Sequence, residues 1–377
     1  MTRKGVTRAP IPLTAPAPYL PCNAEKPEPR VESIYYVLSW ACHRRCKHCY
    51  EDRFRPYVGD ALEAVVREAE ANAPRVIDHF PDSMLYRDLS DVDEAGEPRR
   101  KVGRIILAGG DVLVDPVRER VLYPTLKRLR GRYGRDVRLV VQTTGDVVTE
   151  GIVGELLQAG ADHISVSGLD DFHVGMQGDK KDVLRADLTA LFDRFGMQAG
   201  TAAAPAPGPT YSFFGATPDV WIGKIWPRGR AWENGLSAAT LADNFCNAWS
   251  GGLGFLRHGF NGSEVAVEPD GAVYPCCMKT RRAIGNLTEE PLIGILDSLA
   301  GHPVFEAISA GRPERMGLTM GWSVDDFLAS CATTTPQGRP YRNLCIGCDR
   351  FHEAVLAPVI AELIEQRRAR RAGHPAA

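Results

Sequence analysis

Three cysteines near the start of the chain, Cys42, Cys46 and Cys49, stand in the order C-x3-C-x2-C. Three thiolates on one short loop can bind three corners of an iron–sulfur cube. The fourth iron then has no protein ligand, so it can bind a small molecule and pass it an electron. Zinc is the alternative, because His43 or His48 could supply a fourth ligand. The open corner and the cysteines downstream favour an iron–sulfur cluster.

A further group of cysteines lies in the last third of the chain and consists of Cys246, Cys276, Cys277, Cys331, Cys345 and Cys348. The chain has 377 residues and ten cysteines in all, whereas disulfide frameworks belong to small secreted domains. Close spacings such as C-x2-C are more typical of metal binding. The apolar core that a secretory signal needs is interrupted by Pro10, Pro12, Pro16 and Pro18. We therefore expect a cytoplasmic protein whose thiols stay reduced.

The elements that must position these cysteines follow a repeated strand–helix order. Apolar runs predict strands at Ile34–Leu38, Val102–Leu107, Val137–Val141, His163–Ser167, Met197–Ala203 and Val220–Trp226. Amphipathic stretches predict helices at 58–73, 116–132, Glu150–Gln158 and Asp182–Phe195. This alternation predicts an α/β fold whose parallel sheet forms a partial (β/α)6 TIM-like barrel. Sites in this architecture lie at the C-terminal ends of the strands, where the first cysteine loop is placed.

The pattern changes after about residue 240. Glu264–Glu268 and Ala272–Tyr274 flank a Pro-Asp-Gly turn, which predicts a hairpin that leads into Cys276. A second close pair of cysteines precedes a final helix that is expected to start near Phe351. We therefore divide the chain into an extended leader at 1–30, a barrel at 31–238 with an insertion at about 74–101, a cluster-binding module at 239–350 and a C-terminal helix at 351–377.

The segment from Cys42 to Cys49, placed behind the first strand of a partial barrel, resembles the signature of the radical S-adenosylmethionine (SAM) enzymes. The resemblance implies a 4Fe–4S cluster held by three cysteines, with SAM bound to the fourth iron through its amino and carboxylate groups. An electron from a donor such as flavodoxin or ferredoxin then cleaves SAM, and the resulting 5′-deoxyadenosyl radical removes a hydrogen atom from the substrate. In such enzymes the cofactor supplies the reactivity, and the protein supplies orientation and exclusion of water.

The end of the second predicted strand also matches the family. Gly109, Gly110 and Asp111 resemble its G-G-E segment, which meets the amino group of SAM. Aspartate replaces the usual glutamate, and its carboxylate still offers the ammonium a partner. His48 stands where the family usually has an aromatic residue just before the third cysteine. The resemblance therefore implies that these four residues bind the cofactor.

Two further segments extend the resemblance along the chain. Ser165 and Ser167 match positions where the family places a short polar side chain on the ribose of SAM. The segment Pro227–Ala231 resembles a P-x-G-R-A sequence found in relatives with a C-terminal cluster module. In that reading Arg230 pairs with the carboxylate of SAM, and the alternative is a surface arginine.

The C-terminal cysteines resemble the "twitch" module of radical SAM dehydrogenases and cyclases, a shortened form of the SPASM module. The resemblance implies one auxiliary 4Fe–4S cluster held by Cys246, Cys276, Cys345 and Cys348, because a full SPASM module binds two clusters and needs about seven cysteines. Cys277 could replace Cys276, and Cys331 could replace Cys246. Zinc at the Cys345–Cys348 pair is the remaining alternative.

A cluster with four thiolate ligands has no vacant iron, so it is better suited to electron transfer than to substrate binding. A carbon radical beside a hydroxyl, amine or amide becomes strongly reducing when it loses a proton. His173, just past the fourth strand, is the expected base. Tyr211, Asp146 and Glu233 are the alternatives, and a packing role is the structural alternative for His173.

These observations predict a radical SAM oxidoreductase that oxidises a small polar substrate such as a sugar, aminocyclitol or aminoglycoside. Modification of a ribosomal peptide, by a thioether, a C–C crosslink or epimerisation, is the second hypothesis. Peptide enzymes often carry an N-terminal leader-binding domain, and the roughly thirty Pro-rich residues before the first strand do not resemble one. A net charge of −2 and the lack of a long apolar run argue against nucleic-acid and membrane partners.

Overall fold

The computed structural model describes residues 31–202, 207–215, 225–247, 251–256 and 264–373. The leader at 1–30 and most of the strand expected at Val220–Trp226 lie outside the described residues. Within the described part of the chain, no helix is both long and apolar enough to cross a bilayer.

The strands share one large sheet and two small hairpins. In chain order they are β1 (Ser33–Ser39), β2 (Leu85–Val92), β3 (Pro98–Val102), β4 (Arg104–Gly109), β5 (Arg138–Thr143), β6 (His163–Val166), β7 (Gln198–Ala199), β8 (Thr210–Phe213), β9 (Glu264–Val267), β10 (Ala272–Tyr274), β11 (Gly285–Asn286), β12 (Ala332–Thr334) and β13 (Pro340–Arg342). Among the described residues the large sheet has nine strands in the order β11-β10-β9-β1-β4-β5-β6-β8-β7.

Helices separate the parallel strands and continue through the C-terminal part. They are α1 (Gly59–Asp78), α2 (Tyr123–Tyr133), α3 (Glu150–Ala159), α4 (Lys180–Arg194), α5 (Gly229–Glu233), α6 (Leu292–Leu299), α7 (Pro303–Ser309), α8 (Val324–Ser330), α9 (Leu344–Phe351) and α10 (Ala357–Gly373). Two π-helical turns, at Arg118–Leu122 and His352–Leu356, lead into α2 and α10. Short 3-10 turns lie at Phe245–Asn247 and Pro313–Arg315.

The parallel strands are buried on both faces, which explains their near-continuous apolar sequences. All seven residues of β1 are buried, and β1 pairs in parallel with β4 on one side and with β9 on the other. The strands β4, β5, β6 and β8 continue the parallel order. The predicted α/β class with a large parallel sheet is therefore confirmed, and closure into a partial barrel stays a prediction.

Several element bounds differ from those expected. The insertion at 74–101 begins inside α1, which runs to Asp78, and its remainder contains the hairpin of β2 and β3. The strand beside β6 is Thr210–Phe213, a short run that directly follows a Pro-rich stretch and was missed for that reason. The helix expected near Phe351 begins at Leu344, so the last two cysteines lie on it. The strands β9 to β11 extend the main sheet instead of forming a separate one.

His163 is a fully buried histidine at the start of β6. Its Nδ1 lies 2.7 Å from the Thr210 hydroxyl and its Nε2 lies 2.8 Å from the Ser212 hydroxyl. Burial, together with the nearby Arg138 and Arg104, lowers the pKa of His163 to about 3. The folded sheet therefore holds this ring neutral, whereas the unfolded chain protonates it below about pH 6.5.

We expect the apoprotein to lose stability as the pH falls from 6.5 to 5, because protonation then favours the unfolded chain. His163 should account for about 2 kcal/mol of the free energy of unfolding lost by pH 5. Denaturant unfolding of the wild type and of His163→Gln at pH 7 and pH 5 measures this effect. The variant should show a smaller pH dependence, and an unchanged dependence would contradict the assignment.

Candidate functional site

The first cysteine loop leaves β1 and returns beside it. Ala41 forms a bridge with Arg55, and the Cys42 N–H donates to the Arg55 carbonyl at 3.0 Å. The Cys42 sulfur accepts the Arg44 N–H, and the Cys46 sulfur accepts the Val174 N–H, each at 3.4 Å. Such N–H groups stabilise a thiolate, so the loop suits sulfur ligands of a cluster.

The three thiols of this loop are shielded from water. Burial raises the pKa of Cys42 to about 12 and that of Cys49 to about 11, and it also raises the pKa of Cys46. A buried thiol is neutral at pH 7, and a bound cation must replace its proton before the sulfur can act as a ligand. The donor set and its surroundings therefore fit an iron–sulfur cluster better than free catalytic thiols.

Arg230, from helix α5, holds the cysteine loop through hydrogen bonds to its carbonyl groups, which we call the Arg230 clamp. Its side chain is buried, and its guanidinium donates to four backbone carbonyls: Cys46 at 2.9 Å, Asp52 at 2.9 Å, Phe54 at 2.7 Å and, more weakly, Glu51 at 3.4 Å. In this structure four hydrogen bonds direct Arg230 to the loop carbonyls, and its expected pairing with the SAM carboxylate stays a prediction. Its charge also lowers the pKa values of Cys46 and Cys49 against the effect of burial.

Two glycines allow the close approach of backbone to this loop. A Cβ at Gly110 would lie 2.3 Å from the Ala41 carbonyl oxygen. Gly229 has φ +53, and a Cβ there would lie 2.5 Å from the backbone of Tyr50. The following Ala231 N–H donates to the Cys49 carbonyl at 3.1 Å. Both segments that matched the family by sequence are thus packed directly on the cysteine loop.

Asp111 is fully buried and its carboxylate is already satisfied by the protein. It accepts from the Thr143 hydroxyl at 3.0 Å, from the N–H and hydroxyl of Thr144 at 3.1 and 2.6 Å, and from the Leu113 N–H at 3.1 Å. These hydrogen bonds hold the Asp111 side chain against the end of β5 and the turn after it, and its expected contact with the amino group of SAM stays a prediction.

Asp146 supplies the more accessible carboxylate of this region, and its side chain is 23% exposed. Its Oδ2 lies 2.8 Å from Nε2 of His43 and 2.5 Å from the Arg44 guanidinium. Burial opposes ionisation, but the hydrogen bonds from His43 and Thr144 and the charge of Arg44 lower the pKa of Asp146. The sequence analysis names Asp146 as an alternative to His173 as the base that deprotonates the substrate radical. Its position shortly after the C-terminal end of β5 is the signal that it belongs to a site.

His48 and His173 meet on the other side of the loop. Their ring centroids are 4.4 Å apart, and Nδ1 of His173 lies 2.9 Å from the buried Asp170 carboxylate. Burial and the neighbouring His173 lower the pKa of His48 to about 4, so this ring is neutral. Asp170 fixes Nδ1 of His173 and leaves Nε2 to face other groups, which is the arrangement of an oriented base.

The other expected residues lie in less accessible places. Ser165 is buried on β6 and lies 3.3 Å from the Ser212 hydroxyl, whereas Ser167 lies past the strand end and donates to the Thr143 carbonyl at 3.2 Å. The buried Tyr211 ring packs on Phe192. Tyr211 and Ser165 are therefore engaged within the sheet and its covering helix, and the choice between the two serines stays a prediction.

A second group of thiols lines one pocket in the C-terminal part. The pocket contains Cys246, Cys276, Cys345 and Cys348 together. The last two lie three residues apart on α9 and so share one face of that helix. Burial and then the neighbouring thiols raise the pKa of Cys345 to about 12 and those of Cys246 and Cys348 well above 9. Four buried, mutually close thiols again fit a metal cluster.

The two alternative ligands lie outside this pocket. Cys277 is buried in a cluster of apolar side chains that includes Tyr35 and Trp40. Cys331 is fully buried at the end of α8, and its sulfur donates to the Phe327 carbonyl at 3.3 Å. Neither residue contributes to the pocket lining.

An ionic network connects the two cysteine regions. Lys279, which lines the pocket, contacts Glu51 of the first loop at 2.5 Å and Glu268 at 2.7 Å. Arg53 bridges the same two carboxylates and stacks on Trp40, with its guanidinium carbon 3.6 Å from the ring centroid. The loops are therefore joined by charge pairs as well as by the sheet.

We expect Arg230→Lys to weaken metal retention by the first loop. Lysine keeps the charge but cannot reach all of the carbonyls, and each buried carbonyl left without a donor costs about 1–3 kcal/mol. Iron content after anaerobic reconstitution should fall by about half, because the pocket of the other four thiols is untouched. Arg45→Lys, an exposed position on the same loop, is the control. Equal iron content in the two variants would contradict the clamp.

One family model matches part of the chain. Residues 260–312 match SPASM, an iron–sulfur cluster-binding domain. No curated protein matches the sequence.

Several solved structures resemble the chain at low identity. BtrN in complex with AdoMet and 2-DOIA is 14% identical, covering 78% of this chain and 92% of its own, with a TM-score of 0.41. Native anSMEcpe with bound AdoMet is 12% identical, covering 88% and 99%, with a TM-score of 0.38. Streptococcus suis SuiB bound to precursor peptide SuiA is 11% identical, covering 78% and 74%, with a TM-score of 0.29.

These identities and TM-scores are low. The assignment of an iron–sulfur module therefore rests on the family match. The SPASM match confirms the expected iron–sulfur module in the C-terminal part. The C-x3-C-x2-C loop lies at the end of the first strand of a large parallel sheet, as it does in the family it resembles. The family match therefore identifies a SPASM-type iron–sulfur cluster-binding domain at residues 260–312.

Proposed function

We propose that the chain is a radical SAM oxidoreductase that binds a SAM-binding 4Fe–4S cluster and one auxiliary 4Fe–4S cluster. The observation that carries the proposal is the division of the thiols into two groups, three on the loop after β1 and four in one pocket. The loop cluster with bound SAM would supply a radical that removes a substrate hydrogen, and the auxiliary cluster would accept an electron.

Asp146 is the residue that we assign to the amino group of SAM in place of Asp111. The Thr144 hydroxyl lies 2.6 Å from an oxygen of Asp111 and 2.5 Å from an oxygen of Asp146. A hydroxyl has one proton, so it donates to only one of the two carboxylates at a time. The more exposed Asp146 is then left with an oxygen for an ammonium donor.

His173 is the residue that we assign to the substrate proton. Asp170 orients the ring through Nδ1, and Nε2 can accept a proton from a carbon radical beside a hydroxyl or an amine. Loss of that proton makes the radical strongly reducing, and one electron can then pass to the auxiliary cluster. The substrate loses one hydrogen atom, one proton and one electron in total, which amounts to a two-electron oxidation.

The surroundings of the loop bear on the substrate class. The polar side chains of His43 and Arg44 lie beside the loop and would suit a small polar molecule such as a sugar, aminocyclitol or aminoglycoside. Phe172 and Val174, which flank His173, are 36% and 50% exposed, and this apolar pair would suit a peptide side chain. The small polar substrate is our proposal, and peptide modification is the second candidate.

The ligand set is tested by iron content. Anaerobically reconstituted protein should hold about eight irons per chain, which is two 4Fe–4S clusters. Cys276→Ala should lower this to about four, because one corner of the auxiliary cluster loses its ligand. Cys277→Ala and Cys331→Ala are matched controls that should keep about eight. If Cys277→Ala loses iron and Cys276→Ala does not, then Cys277 is the cluster ligand in place of Cys276. Zinc in place of iron would exclude an iron–sulfur cluster.

His173→Gln should separate SAM cleavage from substrate oxidation. With dithionite as reductant the variant should still form 5′-deoxyadenosine, because neither cluster is altered. When a panel of aminocyclitols and aminoglycosides is supplied, the wild type should give a product two mass units lighter, and the variant should give at least a hundredfold less of it.

His79→Gln is the control, since His79 contacts the Leu287 carbonyl away from the loop. Wild-type activity in His173→Gln would exclude this base. Modification of a peptide by the wild type, without oxidation of any panel compound, would favour the second candidate.

A further inference from the structure

Arg228 is one of the two cations that line the pocket of the four C-terminal thiols. It precedes α5, and it is the variable residue of the P-x-G-R-A segment, so the resemblance assigns it no role. Its Nη2 lies 2.5 Å from the Asp349 carboxylate, and its buried Nε–H has no hydrogen-bond acceptor among the described residues. A buried donor without an acceptor costs free energy, so a group bound in this pocket would be stabilised by accepting a hydrogen bond from it.

The charge of Arg228 acts on the thiols around it. Arg228 lines the same pocket as Cys246, Cys276, Cys345 and Cys348. Its partner Asp349 directly follows Cys348 in the sequence. Lys279, the other cation of the lining, is paired with Glu51 and Glu268, so Arg228 and Asp349 form a separate ion pair beside the thiols.

We propose that the Arg228–Asp349 pair sets the reduction potential of the auxiliary cluster, with Arg228 favouring the reduced state. Reduction adds one electron and makes the site more negative by one charge, so a buried cation beside it stabilises the product. This inference rests on the proposed auxiliary cluster, and it explains how that cluster could accept an electron from a deprotonated substrate radical, whose proton is taken by the base.

A merely structural role for this pair is a real alternative, because Arg228 joins the segment before α5 to α9. Loss of either partner would then reduce the stability or the iron content of the module. It would not move the potential in opposite directions. The sign of the shift therefore distinguishes the electrostatic role from the structural one.

The experiment uses the full chain with Cys42, Cys46 and Cys49 replaced by alanine, so that only the auxiliary cluster remains. Its potential is measured by electron paramagnetic resonance during a redox titration. Arg228→Gln should lower the potential by about 59 mV or more, a tenfold change in a one-electron equilibrium. Asp349→Asn should raise it. Arg281→Gln, an exposed arginine paired with Glu353, is the control and should shift it by much less.

Shifts of opposite sign in the two pocket variants would establish the role of the pair. Equal potentials, or shifts of the same sign, with four irons retained would overturn it and leave the proposed cluster intact. If Arg228→Gln cannot hold a cluster, the sign of the shift in Asp349→Asn decides. Absence of a four-iron cluster from the parent protein would overturn the proposed auxiliary cluster and this inference together.

Discussion

The clamp of Arg230 on the carbonyls of the cysteine loop is the interaction on which the rest of the site depends. A loop that presents three thiols to one cluster cannot use its carbonyls in regular secondary structure, and buried carbonyls need donors. One guanidinium offers several donors in a fixed plane and a charge that favours thiolates. It meets four carbonyls between Cys46 and Phe54. Gly229, the residue before Arg230, has no side chain, which lets this segment lie against the backbone of the cysteine loop.

The second constraint is the connection between the two thiol groups. Glu51 and Arg53 belong to the first loop, Glu268 follows β9, and Lys279 lines the thiol pocket. Ion pairs at exposed positions contribute little to stability, but these carboxylates are mostly buried and each has two cationic partners. The network fixes the relative position of the loops, which matters because electron transfer depends on separation.

The cysteine loop and the strand–helix order could be predicted because they are encoded locally, by spacing and by periodicity. The role of Arg230 could not, since its four acceptors lie far away in sequence. Asp111 illustrates the same limit. The resemblance implied that its carboxylate contacts the cofactor, and in the fold this carboxylate accepts hydrogen bonds from Thr143 and Thr144. The strand Thr210–Phe213 was hidden by its length and by the prolines before it. The pocket of four thiols corresponds to the ligand set that the resemblance implied, and its chemical role stays a prediction.

The pairing of β9 with β1 has a consequence for how this protein could be divided. The strand that carries the first thiol loop has β4 on one side and the C-terminal hairpin on the other, so neither half has a complete sheet alone. Removal of the C-terminal part would leave a row of N–H and C=O groups without partners along a fully buried strand, which is a template for aggregation. Exchange of cluster modules between such proteins must therefore preserve the register of the β1–β9 pairing. A flexible linker between the two parts could not replace this pairing.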